Sequence, residues 1–188
     1  MLSFKTFLKE QVEQKSAHLK HLTHVNMHHI DEGEAGYHKA IHMLNFAHDH
    51  ITSGGHGGAR VTTKYDGSPS IVFGHHPQTG KFFVATKSAF NKNPKLNYTP
   101  SDVDENHGDK PGLAAKIKQA LKHLKKVAPK KGVYQGDLMF THDDKATKGD
   151  TVSFNPNPSG LTYTAHGAHA REARKAKLGL VTHLSYHG

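Results

Sequence analysis

The residues best placed to do chemistry are Thr63-Lys64-Tyr65-Asp66-Gly67-Ser68-Pro69-Ser70, where a lysine, a carboxylate two residues on and a glycine fall between two runs of strand-forming residues. A lysine amine attacks only when it has lost its proton. Desolvation or a neighbouring cation brings its usual pKa of ~10.4 down far enough to free it. If Lys64 attacks, the electrophile that suits it is phosphorus. Taken alone, the same residues also read as a hairpin turn at Asp66-Gly67 beside an exposed lysine, and spacing does not choose between the two.

The elements that must position these residues follow from the apolar periodicity. Phe4, Phe7, Leu8 and Val12 predict a short packing helix from Ser3 to about Lys20. Tyr37, Ile41, Leu44 and Ile51 predict a second helix with a core-facing stripe, stopped by Ser53-Gly54-Gly55-His56-Gly57-Gly58. The period then becomes that of strands. Arg60–Lys64, Ser70–Phe73 and Lys81–Thr86 are expected strands, the last two a hairpin around Pro77-Gln78-Thr79-Gly80. Asn91 to Gly112 reads as a long loop. Leu113, Ile117, Leu121, Leu124 and Ala128 form the stripe of a lysine-rich helix closed by Pro129. Strands are expected at Val133–Phe140, Thr151–Phe154, Leu161–Ala165 and Leu178–Tyr186, with a short basic helix near Ala168 to Lys177. The class is α+β with a mostly antiparallel sheet, divided into a helical segment, 1–58, and an α+β domain, 59–188.

Lys64-Tyr65-Asp66-Gly67-Ser68 resembles motif I, K-x-D-G, of the covalent nucleotidyltransferases, the superfamily of ATP-dependent DNA ligases, RNA ligases and mRNA capping enzymes. It is most similar to the RNA ligase branch, in which a β-hairpin and a second basic motif follow; Thr86-Lys87-Ser88-Ala89-Phe90 stands at that place. Gly132 to Phe140 resembles the motif III strand, with Asp137 where family members usually carry Glu, and Leu178 to Leu184 stands where motif IIIa is expected. The resemblance implies a nucleotidyltransferase type of antiparallel sheet that binds ATP and Mg²⁺. Lys64 would take AMP from ATP as a phosphoramidate and pass it to a 5′-phosphate end. Asp66, Gly67 and Ser68 would shape the loop under the nucleotide, Lys87 would neutralise phosphate charge, and Asp137 would serve the ribose or the metal. No counterpart of motifs IV and V follows Phe140, so the resemblance implies a shortened version of the fold. A second reading therefore stands beside the enzyme: a ligase-derived module without catalysis, acting as a nucleic-acid-binding or virion-associated structural protein. The Met-Leu-Ser-Phe-Lys opening and the Tyr-Asp-Gly-Ser-Pro-Ser block are also similar to proteins of tailed phages. That similarity implies the host cytoplasm or the virion as location, with other phage proteins as partners.

Composition sets the outer bounds. Across 188 residues, Lys+Arg 25 against Asp+Glu 16 gives a net charge of +9, which favours polyanions. Lys118, Lys122 and Lys125 on one expected helix, with Arg171, Arg174 and Lys175 on another, are the candidate nucleic-acid contacts; a solvated basic surface explains them equally well. With no cysteine, thiolate metal sites and cysteine nucleophiles are excluded. No apolar run approaches the ~20 residues that cross a bilayer, and no signal-peptide segment opens the chain. The 19 histidines include His38 and His42 at a metal-compatible spacing, His21, His24 and His28, and His48-Asp49-His50, but no H-E-x-x-H; they read as solvent-facing, weakly basic side chains.

Overall fold

The computed structural model describes residues 27–54, 65–157 and 160–186. The chain divides into two units between Lys64 and Tyr65. The expected helix of Ser3 to Lys20 and the expected strand Arg60–Lys64, with Lys64 itself, lie outside the described residues.

In the first unit a single element is described, α1 (Met27–Thr52). Gly33, at φ 59° and ψ −134°, interrupts its helical backbone, so α1 is two helical stretches meeting at a kink that glycine adopts without a Cβ penalty. The expected stripe does not form a core: Tyr37, Ile41, Leu44 and Ile51 are 40–70% exposed. Burial falls instead on Gly36, Ala40 and Ala47. Each of the first two precedes a large apolar residue by one position, so the buried line is turned about 100° from the stripe that the large side chains trace.

In the second unit, β1 (Ser70–His75), β2 (Phe82–Ala85), β3 (Val133–Thr141) and β7 (Leu178–Tyr186) form an antiparallel sheet in the order β2-β1-β3-β7. The expected hairpin is present, closed by Gly80 at φ 68° donating its N–H to the His76 carbonyl. The expected loop of Asn91 to Gly112 is not one: it contains α2 (Pro100–His107). There Thr99 and Asp102 form a capping box, each side chain accepting the other's backbone N–H. α3 (Pro111–Leu124) follows, beginning at a proline that suits a first helical position.

Each face of this sheet has its own cover. On one, Ile71, Phe73, Phe82, Val84 and Leu138 pack against Ile117, Ala120, Leu121 and Leu124 of α3, and against Val103 of α2. Burying Ile117 or Leu121 there contributes about 1.5–3 kcal/mol each. On the other face, Val72, Phe83, Ala85 and Tyr186 pack against Ala89, Phe90, Leu96 and Tyr98 at one end. At the other end, Met139, Phe140 and Val181 pack against Val152, Phe154, Ala170 and Ala173.

That last cluster comes from a long excursion between two strands that are neighbours. β3 and β7 pair from Val133↔Tyr186 to Thr141↔Leu178, yet between them the chain builds β4 (Lys145–Lys148), β5 (Thr151–Phe154), β6 (Tyr163–Ala165) and α4 (Gly167–Lys175). β4, β5 and β6 form a second antiparallel sheet in sequence order. Two register shifts in the β3–β7 ladder fit the excursion to the first sheet. Between Leu138 and Phe140 the extra residue is Met139, so Met139 and Phe140 both serve the cluster under the second sheet. The molecule is α+β with antiparallel sheets, and four helices among the described residues.

Candidate functional site

The candidate site is a polar line between the two apolar clusters that share one face of the first sheet. Ser70, Gln135 and Asp137 alternate with the buried Ile71, Gly136 and Leu138, so they point to the same face as Val72 and Met139. Register sets Ser70 directly opposite Asp137, and Asp137 opposite Val181. Lys87 follows the end of β2, whose last paired residue, Ala85, stands opposite Val72. Lys87 opens a short 3₁₀ turn, Lys87–Phe90, capped by Thr86, and its side chain is exposed.

Gln135 is oriented from both sides. Tyr186 donates its hydroxyl proton to Gln135 Oε1 at 2.8 Å, and Gln135 Nε2 donates to Ser70 Oγ at 3.4 Å. Asp137, two residues along the same face, is only 8% exposed. Among the described residues no hydrogen bond or ion pair holds its carboxylate. Its oxygens are not among the fully buried unpartnered atoms, so the carboxylate reaches solvent and is open to a cation or donor entering the site.

The Asp66-Gly67 turn is seated against this strand. Ser68 donates its N–H to the Leu138 carbonyl at 3.1 Å, and Leu138 N–H donates to the Pro69 carbonyl at 3.0 Å, with a cis peptide between Ser68 and Pro69. Gly67 lies so close that a Cβ on it would meet Leu138 O at 2.7 Å, Met139 Sδ at 2.9 Å and Asp137 Cβ at 3.0 Å. Only glycine lets the turn approach this closely. Residues 66–70 and 137, far apart in sequence, therefore form one site. Asp66 and Ser68 are exposed at its rim. Lys64 lies outside the described residues, one position before Tyr65.

The expected nucleic-acid contacts fall in two places. Lys118, Lys122 and Lys125 border an open pocket with Tyr98, Pro100, Gln119 and Leu121. This pocket belongs to α3, which covers the sheet face opposite Asp137. Lys118 is also committed to an ion pair, its Nζ 2.6 Å from Asp104 Oδ1. Arg171, Arg174 and Lys175 lie on α4, on the same side of the sheet as Asp137, and Arg174 donates to the Gly149 carbonyl at 2.8 Å. Sequence reasoning gave no role to Gln135 or Tyr186, whose only signal is polarity in an otherwise apolar strand region, and named Ser70 only as the last residue of the Thr63–Ser70 block.

Among the described residues no three His, Asp or Glu side chains gather as a metal site. A single carboxylate that reaches solvent, as that of Asp137 does, fits Mg²⁺ that keeps several waters and is held jointly by protein and phosphate oxygens. His38 lies 3.9 Å from Glu34 and His48 3.2 Å from Asp49, both pairs exposed. His21, His24 and the side chain of His28 lie outside the described residues. No described helix is long and apolar enough to cross a membrane.

A model described as a family of unknown function, DUF6267, matches residues 19–188. No curated protein matches the chain, and no solved structure does.

Proposed function

We propose that this chain, which belongs to the DUF6267 family, is a ligase-like nucleotidyltransferase of nucleotidyltransferase-type fold that carries AMP on Lys64. The observation that supports this reading is the seating of Gly67 within van der Waals reach of Asp137, whose solvent-reaching carboxylate has no partner among the described residues. That arrangement sets the Asp66–Ser68 turn against an acidic group able to share a cation with phosphate oxygens.

In the reaction the neutral Lys64 amine attacks the α-phosphorus of ATP. The nitrogen–phosphorus bond forms as the bond from that phosphorus to the bridging oxygen breaks, pyrophosphate leaves, and the amine proton passes to solvent. The AMP is then transferred to a 5′-phosphate end of a polynucleotide, with Lys64 as leaving group. Mg²⁺, when bound, offsets phosphate charge during both displacements. Asp137 would hold it in part, Lys87 would approach the phosphates from the neighbouring strand end, and the Asp66–Ser68 turn would support the nucleotide. Gln135, held by Tyr186, adds an oriented donor to the same face.

The test is direct. Incubated with α-labelled ATP and Mg²⁺ and then denatured, the protein retains an acid-labile label that Lys64→Ala lacks. Folded protein that takes up no label overturns the enzyme. One observation favours a second reading, a nucleic-acid-binding module without catalysis: Lys122 and Lys125 are exposed on the sheet face opposite Asp137, where polynucleotide binding would not need the site. Salt-dependent binding of single-stranded RNA or DNA by protein that takes up no label would establish it.

A further inference from the structure

The pocket beside α3 has a volume of about 430 Å³ and walls of two kinds. Tyr98, Pro100 and Leu121 give it apolar surface. Lys118, Lys122 and, at the C-cap of the helix, Lys125 give it charge, and their spacing of four and three residues sets them along one side of α3. Tyr98 is fixed before anything arrives: its N–H donates to Asp102 Oδ2 at 2.8 Å, and its ring meets that of the buried Phe83 edge to face at 6.3 Å. The side chain is anchored to the core and stays half-buried.

The charges are unequal in what they can still do. Asp102 of α2 is committed to the backbone of Tyr98 and Thr99, and Asp104 to Lys118. Lys122 and Lys125 are exposed and have no ion pair among the described residues, so an incoming anion meets free cations on the α3 side. The positive charge continues past the pocket. Burial first, then the charges of Lys122, Lys126 and Lys177, holds the His123 ring below its ordinary pKa of 6.5, which places these three ammonium groups near one imidazole. A cationic track thus leads from the pocket along the end of α3 to the start of β7.

We propose that this pocket seats one base of a single-stranded polynucleotide, stacked on Tyr98, with the adjoining phosphates on Lys122 and Lys125 and the strand running on past Lys126 and Lys177. An apolar hollow with an aromatic wall and a cationic border fits a flat ring that carries anionic charge beside it. The hollow is open, which suits a polymer laid across it better than a small molecule enclosed by it. The lysines repeat along the helix as phosphates repeat along a strand, and every base has a π-face, so the seat tolerates any sequence. The proposal rests on the polynucleotide binding given above and not on catalysis, because no residue of the Asp137 site lines the pocket.

Two variants of the full chain test it, with a labelled single-stranded oligothymidylate as probe and fluorescence anisotropy as the measure of binding. Tyr98→Leu should weaken binding about tenfold, the scale of one base–aromatic stack, and leave the slope of log K against log salt as in the wild type. The chain has no tryptophan, so Tyr98→Trp introduces a single indole, whose emission should be quenched when the strand is bound. An abasic strand of equal length, which offers the same phosphates and no rings, should bind more weakly and leave that emission unquenched. Wild-type affinity in Tyr98→Leu overturns the base seat, as does unquenched emission from Tyr98→Trp saturated with oligothymidylate, or an abasic strand bound as tightly as one with bases. If Tyr98→Leu folds poorly, the emission of Tyr98→Trp decides alone. Wild-type protein that binds no single strand overturns polynucleotide binding as a whole and the seat with it, whereas binding that survives Tyr98→Leu overturns the seat only.

Discussion

Gly67 and Asp137 are in contact across the site: a Cβ on Gly67 would stand 3.0 Å from Asp137 Cβ, with Leu138 O nearer still. The turn that follows Lys64 and the acidic strand are therefore one packed unit, and a change at either residue is felt by the other.

Gly67→Ala should destabilise the chain and reduce labelling of Lys64. The added methyl meets a strand carbonyl at 2.7 Å, which cannot move without breaking the Ser68–Leu138 bond. Overpacking of this kind costs about 1–3 kcal/mol, a fall in melting temperature of roughly 3–10 °C for a chain of this size. Thermal unfolding by circular dichroism checks it, and a wild-type melting temperature would show that the turn yields freely.

Asp137→Asn should separate stability from activity. The Asp137 carboxylate has no partner among the described residues and reaches solvent, so its neutral isostere should keep the melting temperature within about 2 °C of wild type. Lysyl-AMP formation should fall about 100-fold, and raised Mg²⁺ should not restore it. A large loss of stability would instead mark Asp137 as a structural group.

Acid should weaken the fold through two histidines. Burial holds His76 below its ordinary pKa of 6.5, and burial followed by the nearby Lys95 charge does the same to His107. His76 Nδ1 accepts from Gln78 and Thr79 N–H groups, which a protonated ring cannot do, and His107 Nε2 is buried with no hydrogen-bond partner. The neutral forms are favoured in the folded state, so the unfolded chain takes up protons first as pH falls. Their contribution is complete above about pH 6.5 and is lost as pH drops through the folded values. Asp102, held below the usual 3.8 by the Tyr98 N–H first and by Thr99, acts only at lower pH. Urea midpoints between pH 8 and 5 should decline below about 6.5, and His76→Gln with His107→Gln should flatten that decline.

Lys122→Glu with Lys125→Glu should weaken single-stranded polynucleotide binding alike for all sequences. Every lysine–phosphate pairing removed lowers the slope of log K against log salt by roughly one. A salt titration of binding measures this, and an unaltered slope would remove α3 from the nucleic-acid interface.

Much of this architecture is legible in the sequence because period and burial agree. The hairpin of Phe73 and Phe83, the stripe of Ile117 and Leu121, and the strand from Leu178 to Tyr186 all place large apolar residues where the structure buries or half-buries them. α2 escapes because Val103 is its one buried apolar residue; its trace in the sequence is the capping box of Thr99 and Asp102. β4 escapes for the same reason, since Lys145-Ala146-Thr147-Lys148 has no buried face. The stripe of Tyr37, Ile41 and Leu44 misleads, because small residues one step round the helix are buried in its place. Within the site, the meeting of Gly67 with Asp137 follows from the pairing of β1 with β3, which brings two distant segments together. The hydrogen bonds of the Tyr163 hydroxyl to the Asp66 backbone have no local signature, for they depend on where an entire second sheet comes to rest.

The return of the chain from Thr141 to Leu178, a directly paired couple, gives the fold a removable part. A tight hairpin spliced between those two residues would keep all four strands of the first sheet and discard everything between them. Such a miniature would leave Met139 and Phe140 bare to water and prone to self-association, and it would lose the Tyr163 hydroxyl that bonds the Asp66 backbone while keeping Ser68 on the Leu138 carbonyl.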